Sequence, residues 1–538
     1  MYATRRSLTA LDPGLVADLV ATLRATCRLP AYLRNPLTPE QCRAIVRDRL
    51  DHRERDFLDL TRRTIFAAPT SPYRSLLRLA GCEYGDLERM VRADGVEGAL
   101  GALLRGGVYL TVDEFKGRQP VVRGGTTIAC DPRRLRNPLS VPHLLARTSG
   151  SRGVSTRTPL DLACVRDWAV NMNLALDARG GAAWQRAVWG TPAIIPLLWY
   201  SAPGVPVARW FIKVDPGALG RRSRLRWAIR VVRWASRLAR AGLPSPEYAP
   251  VDDPRSILEW MRTTLGHGHP LHLWSTPSSV VRLCHAAERD GVDLDGAHFT
   301  ITGEPVTEAC LAAIRRVHGD ALPDYGSVDS GGSVTCGCLS PEAADDVHVF
   351  SDLNAVIQAD GQPFPRGALL ISSLRPTAPF VLLNVSMGDR ATMTERRCGC
   401  PMERLGWRSH LHTIRSYEKL TAGGVTFEDT DVIRILEEVL PARFGGGPRD
   451  YQLIEEHADD GEPRLRLLMH PAIGPADPAA VASVFLEAIS AGAEHRRHMT
   501  AEWRAAGLLR VEREAPRVAA SGKILHLMAA PPVREEDV

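Results

Sequence analysis

The sequence predicts an α/β protein: a large N-terminal domain of β-sheets and helices, followed by a small α+β C-terminal domain. Three observations carry this. With 538 residues, 44% of them hydrophobic, the chain holds more apolar material than one core uses, because single cores rarely grow past about 250–300 residues. From Val121 onward, short apolar runs punctuated by glycine and proline alternate with stretches of helical periodicity. A composition break at 406–415 precedes a last segment in which helical and strand-like stretches alternate again.

In chain order, residues 14–104 place Leu15, Leu19, Leu23 and then Leu76, Leu77 and Leu79 at near-helical spacing, so 1–120 is expected as a mainly helical lead-in. Strands are expected at 193–195, 207–214, 298–302 and 355–357, with helices at 280–289 and 308–317. A β region over 330–405 includes the apolar runs 368–371 and 380–383. The first domain is set at 1–412 and the second at 415–538, where helices at 431–440 and 478–489 alternate with strands at 464–468 and 508–511. No internal repeat is evident.

A net charge of +5 and a pI near 8.7 are mild at this length, so neither nucleic acid nor a membrane is implied as partner, while anionic small molecules are compatible. The first sixteen residues carry arginines with no apolar stretch behind them. The apolar run 193–200 falls well short of the roughly 18 residues of a membrane span. A soluble, cytoplasmic protein is expected. Eleven cysteines, an odd number, argue against a disulfide framework and leave metal binding or burial. Residues 221–240 hold eight arginines, with Trp227 and Trp234 at i, i+7. That mix suits nucleic acid or an anionic surface; the expectation adopted is an amphipathic helix packing its Trp/Val/Leu side on the core.

Lysine is scarce here, occurring as Lys116, Lys213, Lys419 and Lys523. A compact, swinging ammonium does what a planar guanidinium does not, and Lys523 follows Ser521-Gly522 near the C-terminus. Far upstream, Thr148-Ser149-Gly150-Ser151-Arg152-Gly153 is a small-residue turn whose amides can cradle a polyphosphate. Between them lie Thr302-Gly303-Glu304-Pro305, Tyr325-Gly326-Ser327-Val328-Asp329 and Gly388-Asp389. Each alone reads as a turn, a strand exit or a bend. In this order and spacing they resemble the adenylate-forming superfamily of acyl-CoA synthetases, adenylation domains and luciferases, with the phenylacetate:CoA ligase branch as the nearest likeness. The likeness runs from Ser71-Pro72-Tyr73 to Lys523.

The resemblance implies a large AMP-binding domain, a small mobile C-terminal domain carrying Lys523, and ATP, Mg²⁺ and CoA. It assigns Thr148, Ser149, Gly150, Ser151, Arg152 and Gly153 to the β and γ phosphates. Arg152 replaces a usual threonine, and Ser155-Thr156 stand for a usual Pro-Lys. Gly303, Glu304 and Pro305 line the adenine and Tyr325, followed by Gly326 and Ser327, stacks on it. Asp389 takes the ribose hydroxyls, Arg415 is the arginine that follows, and Tyr417 holds the hinge position. Asp329 stands where a glutamate usually binds Mg²⁺. In the implied reaction a carboxylate attacks the α-phosphate, Lys523 neutralises the developing charge, and the acyl group passes to a thiol after domain rotation.

The branch implies an aromatic acid, with which Trp189, Trp274 and Tyr325 agree. CoA is the default acceptor; a separate carrier protein or an amine is the alternative, and a catalytically silent nucleotide-binding protein is the remaining one. A serine hydrolase is excluded, since Ser149-Gly150-Ser151-Arg152-Gly153 lacks the first glycine of G-x-S-x-G.

Cys336-Gly337-Cys338 and Cys398-Gly399-Cys400, with His348 between them, supply the thiolates and imidazole that tetrahedral zinc takes. Cys338, His348, Cys398 and Cys400 are the expected ligands, with Cys336 the substitute for Cys338. The role is structural, pinning the loop after Asp329 near Asp389. A second cluster, His267, His269 and His272, lacks a fourth ligand.

Overall fold

Runs such as Ala187-Val188-Trp189 and Trp210-Phe211-Ile212 are too continuously apolar for a sheet with one wet face. They form the buried centre of a six-stranded sheet. Its strands are β1 (Gln185–Gly190), β2 (Val207–Ile212), β3 (Pro246–Tyr248), β4 (Leu271–Ser275), β5 (Ala297–Thr302) and β6 (Asp320–Asp324), in the order β6-β5-β4-β1-β2-β3 with every pair parallel. Alternation divides the two faces. Val188 and Trp210 pack with helices Leu162–Ala178 and Ile194–Ser201, while Ala187, Trp189 and Phe211 pack with Arg255–Gly266, Pro277–Arg289 and Glu308–Arg316.

The computed structural model describes residues 13–529 apart from 148–156, 192, 214, 216–223, 252, 305, 307, 330–331, 418–419, 423–424, 428–431, 433, 448–449, 458–462, 492–499, 502, 506 and 518–526. Residues 193–195, expected as a strand, instead lead into the helix Ile194–Ser201. A short apolar run without alternation reads equally as buried strand or buried helix. The 224–239 helix also differs from expectation. Ile229, Val232 and Ala235 face the core, which leaves Trp227 and Trp234 on the opposite side, 54% and 47% exposed. One helix has one core-facing stripe, and here the small aliphatic residues occupy it.

A second sheet follows, made of β7 (Thr335–Gly337), β8 (Val347–Val349), β9 (Asn354–Gly361), β10 (Phe364–Ser373), β11 (Val385–Glu395) and β12 (Ser409–Ser416). Its order is β7-β8-β12-β11-β10-β9, antiparallel throughout. The lead-in helices are part of this core: Phe57, Leu76, Leu100 and Leu103 pack with Val356, Leu370 and Val385. Asn384 locks the two together. Fully buried and at φ 51°, it donates from Nδ2 to the carbonyls of Leu100 (2.8 Å) and Val108 (3.1 Å), and its own carbonyl accepts from Leu110 N at 3.0 Å.

The last sheet holds β13 (Tyr451–His457), β14 (Pro463–Met469), β15 (Leu509–Glu512) and β16 (Leu527–Ala529) in the order β15-β14-β13-β16. Leu453, Leu467, Phe485 of helix Pro478–Ser490, and Trp503 form its core.

Between the first two sheets, Gly326–Ser327 pairs with Gly332–Ser333 in a short hairpin. Gly332 has φ 96°, and a Cβ there would sit 2.7 Å from the Trp168 ring. Gly332→Ala is therefore expected to lower unfolding stability by about 2 kcal/mol or more in urea denaturation, through backbone strain together with overpacking.

Candidate functional site

Parallel pairing aligns Thr302 of β5 with Asp324 of β6, so the chain leaves both strands at the same sheet edge. Gly303 and Glu304 follow one strand and Tyr325 follows the other. The Tyr325 amide donates to Thr335 Oγ1 at 2.8 Å, and its hydroxyl donates to Asp389 Oδ2 at 2.9 Å. Burial, and then the Asp389 charge, push this phenol well above its usual range. Asp389 lies on β11 beside Gly388, which takes φ 88°. The Gly388 amide donates to Ser386 Oγ (3.1 Å), which also meets the Tyr417 hydroxyl at 2.7 Å. One phenol–carboxylate bond thus ties the edge of the parallel sheet to the antiparallel sheet.

Asp329, just past the Gly326–Ser327 strand, is buried. Lys116 forms an ion pair with its Oδ2, and Thr158 Oγ1 donates to its Oδ1 at 2.8 Å. Thr158 belongs to the strand Arg157–Leu160, which follows residues 148–156 in the chain. A divalent ion about 4 Å from an ammonium meets a repulsion of about 8 kcal/mol at an effective dielectric near 20. The carboxylate expected to take magnesium is thus paired with a lysine in this structure.

Arg415 is not brought to Asp389. Cross-strand pairing sets Asp389 opposite Ser416 and Arg390 opposite Arg415, and successive side chains on a strand point to opposite faces. The Arg415 guanidinium is held by Asp345 at 2.8 Å. Trp189 is a core residue, its indole N–H donating to the Ala249 carbonyl at 2.9 Å. His267 and His272 are engaged by Thr263 O (2.7 Å) and Thr300 Oγ1 (2.9 Å). Thr148, Ser149, Gly150, Ser151, Arg152, Gly153, Pro305 and Lys523 lie outside the described residues.

The sequence reading passed over three residues. Lys116 and Thr158 hold Asp329, and lysine scarcity, the signal that singled out Lys523, applies to Lys116 as well. The third is Asp324, at the end of β6. Burial pushes its carboxyl up to about 7, against the hydroxyls of Ser333, Thr302 and Thr335, which lower it. Ser333 Oγ donates to its Oδ1.

The cysteine–histidine cluster is assembled. One ligand atom each from Cys338, His348, Cys398 and Cys400 lies within 4.8 Å of every other. Cys338 rather than Cys336 belongs to this group. His348 Nε2 stands 3.1 Å from Cys400 Sγ and 3.7 Å from Cys398 Sγ, while Nδ1 is 2.7 Å from the Trp407 carbonyl. A carbonyl only accepts, so Nδ1 carries the hydrogen and the Nε2 lone pair faces the thiols. The hydrogen bond from Cys338, and then His348, hold the Cys400 thiol far down toward thiolate. Soft donors, a preset imidazole tautomer and mutual reach together fit a tetrahedral zinc ion.

No family model matches the chain, and no curated protein matches it. Among solved structures, it is similar to a 2-hydroxyisobutyryl-CoA ligase in complex with 2-HIB-AMP and CoA. The TM-score is 0.52 at 14% identity, over 92% of this chain and 91% of that one. A malonyl-CoA ligase complex with methylmalonyl-CoA and AMP aligns at TM-score 0.40 and 14% identity, over 82% of this chain and 94% of that one. An amide bond synthetase from Marinactinospora thermotolerans aligns at 0.38 and 16%, over 88% and 92%. The chain has the fold of the adenylate-forming ligases.

Asp324 makes stability depend on pH. The native carboxyl keeps its proton up to about pH 7, whereas the unfolded one releases it near about 3.9. The native state therefore binds more protons across this window, and stability is lost as pH rises through it. Asp324→Asn keeps an acceptor for Ser333 and removes the titration. It is expected to melt above the wild type at pH 8, with the difference shrinking as pH falls toward 4 in paired thermal melts.

Proposed function

We propose that this protein activates a carboxylic acid with ATP, releasing pyrophosphate, and transfers the acyl group from the resulting adenylate to the thiol of CoA. The observation that carries this reading is the Tyr325–Asp389 bond where the two sheets meet, in a fold shared with a ligase whose structure contains an acyl adenylate and CoA. A phenol ring pinned by its hydroxyl offers a flat apolar face to a base, and a carboxylate accepts hydrogen bonds from a diol. Gly303, Glu304 and Pro305 line the base beside Tyr325, and residues 148–153 cradle the β and γ phosphates.

In the first half-reaction a carboxylate oxygen bonds the α-phosphorus as the bond from that phosphorus to pyrophosphate breaks. Lys523 neutralises the charge building on the phosphoryl and carboxylate oxygens. In the second, the CoA thiol loses its proton, its sulfur bonds the acyl carbon, and AMP leaves after the C-terminal domain has turned and withdrawn Lys523. The acid is aromatic on this reading, which rests on the likeness to the phenylacetate:CoA ligase branch. Cys338, His348, Cys398 and Cys400 would hold a structural zinc ion, whose charge offsets the thiolates and joins the turn after β7 to the turn before β12.

Acid-dependent exchange of pyrophosphate into ATP, run over aryl and alkyl acids, tests the first step. CoA, a carrier-protein thiol and amines, offered in turn with product mass analysis, test the second. ATP binding without exchange for any acid would sink the proposal, and an amide or carrier-bound product would reassign the acceptor. Lys523→Ala is expected to lower adenylation by about 10²–10³-fold while sparing thioester formation from preformed adenylate. Metal analysis is expected to return about one zinc per chain. Cys398→Ser with Cys400→Ser should lose it, together with about 5 °C or more of melting temperature.

A further inference from the structure

Lys116 is one of few lysines in a chain with 67 basic residues, and it is held too firmly for a surface cation. The segment before it is bonded to the antiparallel sheet, with Leu110 N donating to Asn384 O (3.0 Å) and Ser386 N to Leu110 O (2.9 Å). Thr111 and Glu114 then cap the turn Val112–Phe115 reciprocally, at 3.2 and 2.9 Å. Arg123 grips the Glu114 carboxylate with two nitrogens at 2.7 and 2.9 Å. The Phe115 ring packs edge-on against Phe380, 5.3 Å between centroids, and lies 5.4 Å from the Lys116 ammonium.

From this base the ammonium reaches Asp329, with side chains 12% and 6% exposed. Opposite charges withdrawn from water at this depth persist only when each neutralises the other, and removing one leaves the other uncompensated. The remaining oxygen of Asp329 accepts from Thr158 in the strand Arg157–Leu160.

We infer that Lys116 is the resident counter-cation of Asp329 and a positioning residue of the site: its ammonium does there what a divalent ion was expected to do, and the Lys116–Asp329–Thr158 chain holds the strand Arg157–Leu160 near its start. A divalent ion arriving with a nucleotide would then need ligands other than this carboxylate. The role of this strand in presenting the preceding residues to phosphate rests on the proposed adenylation, but the cation occupancy of Asp329 does not.

The test uses Mn²⁺ binding to the full-length, nucleotide-free protein, followed by electron paramagnetic resonance, so that its outcome is independent of activity. Wild type and Lys116→Arg, which both keep a cation, are expected to bind Mn²⁺ no better than Asp329→Asn. Lys116→Met should gain one site at least about tenfold tighter, and Lys116→Met with Asp329→Asn should lose it again. If methionine prevents folding, Lys116→Gln, which still donates to Asp329, provides the same comparison. Asp329-dependent Mn²⁺ binding in the wild type would overturn the inference, as would a folded neutral variant that gains no site. Absence of acid-dependent exchange in every protein would count against the adenylation reading alone.

Discussion

The geometry of the site depends on one buried asparagine. Asn384 sits at the entrance to β11 in a left-handed conformation, and its amide nitrogen serves the carbonyls of Leu100 and Val108. The Leu100 carbonyl belongs to the helix Tyr84–Arg105 and the Val108 carbonyl to the segment after it, and a buried acceptor left unsatisfied costs about 1–3 kcal/mol. By donating to both, Asn384 joins a helical region to the start of a strand more than 270 residues later. Asp389 lies five residues beyond this joint on one side, and Lys116 lies six beyond Leu110 on the other. The placement of both charged groups follows from a junction that itself takes no part in chemistry.

Three carboxylates gather where the parallel sheet meets the antiparallel one, and each is made tolerable differently. Asp389 accepts from a phenol. Asp329 is paired with an ammonium and a hydroxyl. Asp324 is held nearly neutral by burial, while the Ser333, Thr302 and Thr335 hydroxyls hydrogen-bond it. Three ionised groups without compensation would repel one another in a low-dielectric region, so neutral, paired and hydrogen-bonded forms side by side keep the polar mouth stable. The cysteine cluster lies on the same antiparallel sheet, bracketing β8 between Cys338 and the Cys398–Cys400 turn.

Much of this architecture was legible because its cause is local. Strands such as Ala297–Thr302 and helices such as Pro478–Ser490 announce themselves by apolar spacing, and the doubled Cys-Gly-Cys places two thiols within one turn. The Tyr325 and Asp389 motifs were also legible, through a known resemblance. Lys116 and Thr158 were not, since no spacing connects residues 116, 158 and 329. The exposed face of the 224–239 helix was misread for a related reason. Trp227 and Trp234 are the largest apolar side chains in that segment, yet Ile229, Val232 and Ala235 fit the neighbouring surface and took the inward stripe.

What the sequence determined by itself is the alternation of elements and the kinds of side-chain chemistry available: a phenol, carboxylates and soft metal donors. Those are properties of residue type and near-neighbour spacing, which the chain carries whether folded or not. Only the tertiary structure decided which charges meet. It set Arg415 on Asp345 and Lys116 on Asp329. The physical reason is that ionic and hydrogen-bonded pairing acts over a few ångströms between groups hundreds of residues apart, so the partner of a buried charge is settled by sheet register and by which face a side chain leaves from.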